Sequence, residues 1–141
     1  MSEADPYIRV VREWIGKAEE DLLFAEIGLK VGRGCPTSAI CFHAQQCIEK
    51  YLKSLLVWRR IDFPKSHDIG ALLKMIGKPI GVSIDITDQR RFTAYATVTR
   101  YPGDYEPITR VEAKRAVSMA RRVRVAVRKR LPEEACEKPV K

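Results

Sequence analysis

Apolar residues recur at Ile8, Ile15, Ala18, Leu22, Ala25 and Leu29, the seven, three and four spacing of one face of an α-helix. Lys17, Glu19, Glu20 and Lys30 lie between them, so the segment from about Tyr7 to Val31 reads as an amphipathic helix that Gly32-Arg33-Gly34 breaks. A second helix is expected from about Pro36, a proline suited to a first turn, to Trp58. Ala44, Ile48, Leu52 and Leu55 form its main stripe, and Cys41, Phe42 and Leu56 widen it. A helix apolar on more than one side is either central in its bundle or also faces a partner.

Three further helices are expected. Ser66 is placed to cap a short helix over Asp68–Ile76 that turns Ile69, Leu72, Leu73 and Ile76 inward. Gly77, Pro79 and Gly81 mark a loop, and Asp88 to about Thr99 keeps Phe92, Tyr95 and Ala96 at helical spacing. Tyr101-Pro102-Gly103-Asp104-Tyr105-Glu106-Pro107 is a loop. Thr109 followed by Glu112 is a capping box that opens a last helix with Val117, Ala120, Val127 and Leu131 inward. The tail after Pro132 is short and polar and is expected to fray. Only Val82–Ile86 alternates with period two. The pattern therefore predicts an all-α, up-down antiparallel bundle of about five helices.

The chain has 141 residues, the size of a single domain, with a core over about 7–131 and a polar tail over 132–141. Hydrophobic residues make up 45% and charged residues 31%, which is globular rather than disordered composition. The net charge of +8 is concentrated: Thr109–Leu131 holds nine Lys and Arg against the one acid Glu112. Cys35, Cys41 and Cys47 follow one another at intervals of six and Cys136 stands apart, so no C-x-x-C or Cys/His ligand spacing exists and reduced thiols are expected. No apolar run approaches the ~18 residues of a membrane span, and the acidic, polar start is no signal sequence. A soluble, cytoplasmic protein without membrane contact or cofactor is expected.

Candidate chemistry falls in four places. In the second helix His43, Gln46, Lys50 and Lys53 share a face and could hold an anion, or form a solvated face with a Glu49–Lys53 pair. Arg60 and His67 flank a connection in which a neutral imidazole could act as general base towards a ribose hydroxyl while the guanidinium holds phosphate. The alternative is that His67 only fixes the loop. Arg100 with Tyr101 and Tyr105 offers a fork donor and two rings for a base, or a loop packed on the bundle. In the basic helix Arg110, Lys114, Arg121, Arg124 and Arg128 fall near one side. They could track phosphates or meet the acidic first helix. No Gly-rich phosphate loop, Ser/His/Asp order or acidic metal cluster is present, which argues against the common hydrolases and kinases.

Taken in order, Trp14 with Ala18-Glu19-Glu20-Asp21-Leu22, then Phe42-His43-Ala44-Gln45-Gln46 and Glu49-Lys50-Tyr51-Leu52-Lys53, then Pro64-Lys65-Ser66-His67-Asp68-Ile69 and Arg100-Tyr101-Pro102 resemble the HEPN family (higher eukaryotes and prokaryotes nucleotide-binding domain). The resemblance spans about Tyr7 to Leu131. It implies a helical bundle, commonly a homodimer, and in stand-alone prokaryotic members often a minimal nucleotidyltransferase partner, some pairs being toxin and antitoxin. Many members are metal-independent ribonucleases with an Arg-x(4–6)-His motif shared between protomers. Arg60 and His67 have that spacing, but at the end of the second helix, whereas the ribonucleases carry it later. At the later position Arg100 is followed by Tyr105, a phenol whose ordinary pKa near 10 makes it a poor base. The resemblance therefore implies a nucleotide- or RNA-binding module with a degenerate nuclease position. A ribonuclease toxin using an Arg/His site is the alternative, and a protein-interaction scaffold the second.

Overall fold

Asp5 starts the first helix: its carboxylate accepts from the Tyr7 amide at 2.8 Å, and Pro6 occupies the first turn where no N–H is needed. The computed structural model describes residues 5–97 and 107–137. Within them lie α1 (Pro6–Val31), a 3₁₀ turn (Gly32–Gly34), α2 (Thr37–Trp58), α3 (Ile69–Ile76), α4 (Ile86–Tyr95), α5 (Arg110–Arg128) and α6 (Glu133–Cys136). The fold is all-α, as the periodicity predicts. Residues 82–85 form no strand; Ile84 is tucked into the core from a loop and Ile86 begins α4.

The central element is α2. Ile40, Cys41, Ala44, Cys47, Ile48, Leu52, Leu55 and Leu56 are all fully buried, because α1, α3, α4 and α5 each pack on α2. Its breadth of apolar surface is thus consumed inside the chain, and of the two explanations open at the sequence level centrality is the one that applies. Contacts of α1 with α2 pair early residues with late ones (Trp14 near Lys53, Gly28 near Ile40), so the two run antiparallel. Glu19 with Arg124 and Leu29 with Arg110 make α1 antiparallel to α5 as well, leaving α2 and α5 parallel, with the short α3–α4 pair between them in sequence. Gly28 lets the closest crossing happen: a Cβ there would lie 2.8 Å from Ile40 Cγ1 and 2.9 Å from Cys35 Sγ.

Several ends differ from expectation. Asp68, not Ser66, caps α3 by accepting from the Ala71 amide at 3.1 Å, while Ser66 Oγ accepts from the Asp68 amide. Two residues earlier than expected, Asp85 caps α4 by accepting from Asp88 N at 2.8 Å; this helix stops at Tyr95. Thr109 caps α5 as read, but only half of the box forms. The Glu112 carboxylate instead accepts from the Tyr95 hydroxyl, tying α5 to α4. The tail does not fray over 133–136: it forms α6, with Ala135 buried and the Glu134 and Cys136 carbonyls accepting from Arg12 and Arg128. Two arginines thus satisfy backbone acceptors that a polar tail would otherwise give to water.

Candidate nucleic-acid interface

Two sides of α5 carry its charge. On the side facing α1, Arg124 grips both oxygens of Glu19 at 2.8–3.0 Å, Arg128 stands 3.9 Å from the same carboxylate, and Tyr51 donates to it at 2.7 Å. Burial by itself would raise the Glu19 carboxyl, but the hydrogen bonds from Arg124 and Tyr51, with the arginine charges, outweigh it and hold it below the ordinary range. Arg121 reaches Glu26 at 2.9 Å, and Arg110 donates to the Leu29 carbonyl. These cations therefore meet the acidic first helix, the plainer of the two readings of the basic run.

The outer side is different. Lys114, Ser118, Arg122, Val125 and Lys129 follow at intervals of four, four, three and four, and all five are exposed. Among the described residues, Lys114, Arg122 and Lys129 meet no carboxylate. The row extends roughly 22 Å at 1.5 Å per residue. A groove runs beside it, bounded by Gly81, Arg121, Arg122, Lys129 and Arg130. Gly81 adopts φ +86, and the Arg130 guanidinium lies where a side chain at 81 would be, 3.0 Å from an added Cβ. Arg130 is further held by donating to the Ala126 carbonyl at 3.0 Å. The surface so built is cationic: Arg121 is paired with Glu26, but Lys114, Arg122 and Lys129 have no carboxylate partner among the described residues, and the row suits the phosphates of an extended backbone.

The polar row of α2 divides into two clusters. His43 Nδ1 and Lys50 Nζ converge on Asp21 of α1, at 2.8 and 2.6 Å, and the Phe24 ring stacks 4.0 Å from the His43 ring. The second cluster centres on Glu49, 3% exposed. Its Oε2 accepts from Lys53 at 2.9 Å; its Oε1 accepts from Gln45 at 3.0 Å and lies 2.8 Å from His67 Nδ1. Gln46 donates onward to Gln45 Oε1 at 2.6 Å, and the Lys53 amine rests near the rings of Trp14 and Phe63. Lys53 is therefore buried rather than solvated. Burial would raise the Glu49 carboxyl, but hydrogen bonds from Lys53, Gln45 and His67 prevail and keep it low. An ionised Glu49 can only accept, so Nδ1 of His67 carries the proton in that contact. In the neutral ring Nε2 then holds a free lone pair, on a side chain 65% exposed.

His43 and Lys50 are thus brought together by Asp21, and Gln46, Lys53 and His67 by Glu49. Arg60 joins neither cluster. Its guanidinium lies 3.9 Å from the Tyr7 ring, donates to the Trp58 carbonyl at 2.7 Å and stands 3.9 Å from Asp5. Its backbone ends α2 in a Schellman turn, with Arg60 N bonded to Val57 O and Ile61 N to Leu56 O, at φ 57. Arg100, Tyr101 and Tyr105 lie outside the described residues. Sequence reasoning misses Asp21 as an anchor and gives Glu49 only a solvated pairing with Lys53, where the pair is in fact buried. Their signal was a lone acid set among Gln45, Gln46, Lys50 and Lys53, and another in Glu19-Glu20-Asp21.

The described residues thus form a helical bundle with a cationic outer row on α5 and a histidine held by a buried carboxylate. Residues 11–130 match the HEPN domain, and the chain belongs to that family. Its structure is similar to the crystal structure of TT1696 from Thermus thermophilus, with a TM-score of 0.67 and 28% identity over 86% of this chain and 98% of that one. Comparison with curated proteins gives no match. Among the described residues no helix is long and apolar enough to cross a membrane, and no group of His, Cys, Asp and Glu could hold a metal ion.

Proposed function

We propose that this chain is a HEPN binding module that holds single-stranded RNA, or a nucleotide, by its phosphates along the outer side of α5. The observation that carries this is the row Lys114, Arg122 and Lys129, left without carboxylates among the described residues while the inner arginines of the same helix are paired. Arg100, Tyr101 and Tyr105 are proposed as further contacts to a base. Family resemblance supports a homodimer working beside a minimal nucleotidyltransferase, in pairs of toxin–antitoxin type. In a titration of fluorescent single-stranded RNA, binding weakens with salt at a slope of about 0.7 per phosphate contact. Replacing Arg122 and Lys129 by alanine lowers that slope by about 1.4 and weakens binding uniformly across sequences. No binding by the wild type at low salt, or an unchanged slope in the double variant, overturns the reading.

A second reading has its own observation. The exposed His67 imidazole, backed by Glu49 at 2.8 Å, has the arrangement of a general base for a ribose hydroxyl. It predicts RNA cleavage in excess EDTA that His67→Ala abolishes. Intact RNA in every lane removes it and leaves the binding module.

A further inference from the structure

The C-terminal half of α1 presents large apolar side chains to solvent: Leu23 is 59% exposed, Phe24 45%, Ile27 51% and Val31 58%. Apart from the His43 ring beside Phe24, this surface stays open among the described residues. At 100° per residue, Glu20, Leu23 and Val31 fall within roughly 40° either side of Ile27, and Phe24 and Lys30 lie about 60° to opposite sides. Together the four apolar side chains leave roughly 400 Å² open, the scale at which a patch on a single chain is functional. The other half of the same outer face is charged, with Arg9, Glu13, Lys17 and Glu20 exposed, so the patch is bounded along the helix.

The spacing is symmetric about one residue. Leu23 and Val31 each lie four positions from Ile27; Phe24 and Lys30 each lie three away. We infer that this face docks on a second copy of the chain, with the two α1 helices antiparallel and a two-fold axis passing near Ile27. In that register Ile27 meets its own copy and Leu23 meets Val31. Phe24 and Lys30 flank this seam on opposite sides. Glu20, seven positions before Ile27, comes opposite Gly34, just past the end of α1. A patch that places apolar on apolar when rotated onto itself is what an isologous interface requires. The doubled patch, about 800 Å² before its polar rim is counted, sits at the low end of specific interfaces and suits a dimer in the micromolar range. The inference deepens the homodimer put forward above and rests on it only for the existence of the second copy. It also relocates the reason for dimerising, since the broad apolar surface of α2 is occupied within the chain.

Light scattering at tens of micromolar protein tests it first. Wild type gives twice the 16.1 kDa chain mass, and Ile27→Glu gives the single mass with an unchanged helical circular dichroism spectrum. Register is tested on a Cys35→Ser/Cys136→Ser background with a short thiol crosslinker. Ile27→Cys then crosslinks to itself. Leu23→Cys does so only when mixed with Val31→Cys, because two copies of position 23 lie about 12 Å apart along the axis. A wild type of single mass overturns both the seam and the homodimer. A dimer that survives Ile27→Glu overturns the seam alone, and self-crosslinking at position 23 overturns the register. RNA affinity read on the same samples stays a separate result.

Discussion

Glu49 shows how one buried carboxylate organises its surroundings. It neutralises Lys53, turns Gln45 and Gln46 into a relay, and pins His67 from a loop onto α2. Removing it leaves the Lys53 ammonium, 7% exposed, uncompensated in the core, so Glu49→Ala should cost about 3–5 kcal/mol of unfolding free energy in urea. Replacing both partners, as Glu49→Gln with Lys53→Met, leaves no orphaned charge beside Trp14 and Phe63 and should cost less than the single change. Arg60 poses the opposite case. At φ 57 it occupies the glycine position of a Schellman turn, a conformation that costs a non-glycine residue about 1–2 kcal/mol. Stacking on Tyr7 returns about 0.5–1 kcal/mol. Arg60→Gly should therefore change thermal stability little, whereas Arg60→Val, β-branched in the left-handed region, should lower it clearly.

At the scale of elements, the α1–α2 crossing depends on the missing side chain of Gly28. Alanine there would gain about 1 kcal/mol of helix propensity. Its Cβ, however, would press within 2.9 Å of both Ile40 Cγ1 and Cys35 Sγ. Ile40 is fully buried and cannot swing away, and overpacking of this kind costs about 1–3 kcal/mol. Gly28→Ala should thus destabilise despite the better helix former, with the loss read from the midpoint of a urea transition. The long helices were legible because each has a continuous apolar stripe and a side-chain cap or breaker. The weaker boundaries were not. Asp68 and Ser66 are both good caps two residues apart, and the outcome turned on which side chain reached the α3 amides. The tail carries no periodicity of its own; α6 exists because Arg12 and Arg128 meet its carbonyls.

Across the whole molecule, charge joins the elements. Glu19 and Glu49 both have carboxyls held below the ordinary 4.5 in the folded chain. A depressed folded pKa contributes stability that is fully present above 4.5 and is lost as pH falls through the folded value. Stability from these two groups should therefore be flat between pH 7 and 5 and fall below about 4.5. Glu19→Gln and Glu49→Gln, each assayed by acid titration of helical signal, should flatten the fall. Salt acts on the other half of the same charge: the outer row of α5 is fully screened, while the pairs against α1 are partly shielded by burial.

What the order of residues determined by itself is the local part of this protein: the helices, their inward stripes, the concentration of cations after Thr109 and the resemblance carried by its motifs. Each depends on neighbours three to seven positions away, and helix geometry makes those neighbours visible. What only the tertiary structure decided is which charges remain free. Arg124 and Lys129 are both cations of the same basic run, yet one is gripped by Glu19 from 105 residues away and the other faces solvent. His67 and Arg60 have a suggestive spacing, yet Glu49 takes one and the end of α2 takes the other. The apolar side chains of α1 beyond its core stripe have no local meaning until the bundle closes and leaves them outside. These outcomes rest on long-range partners, whose selection no local period encodes.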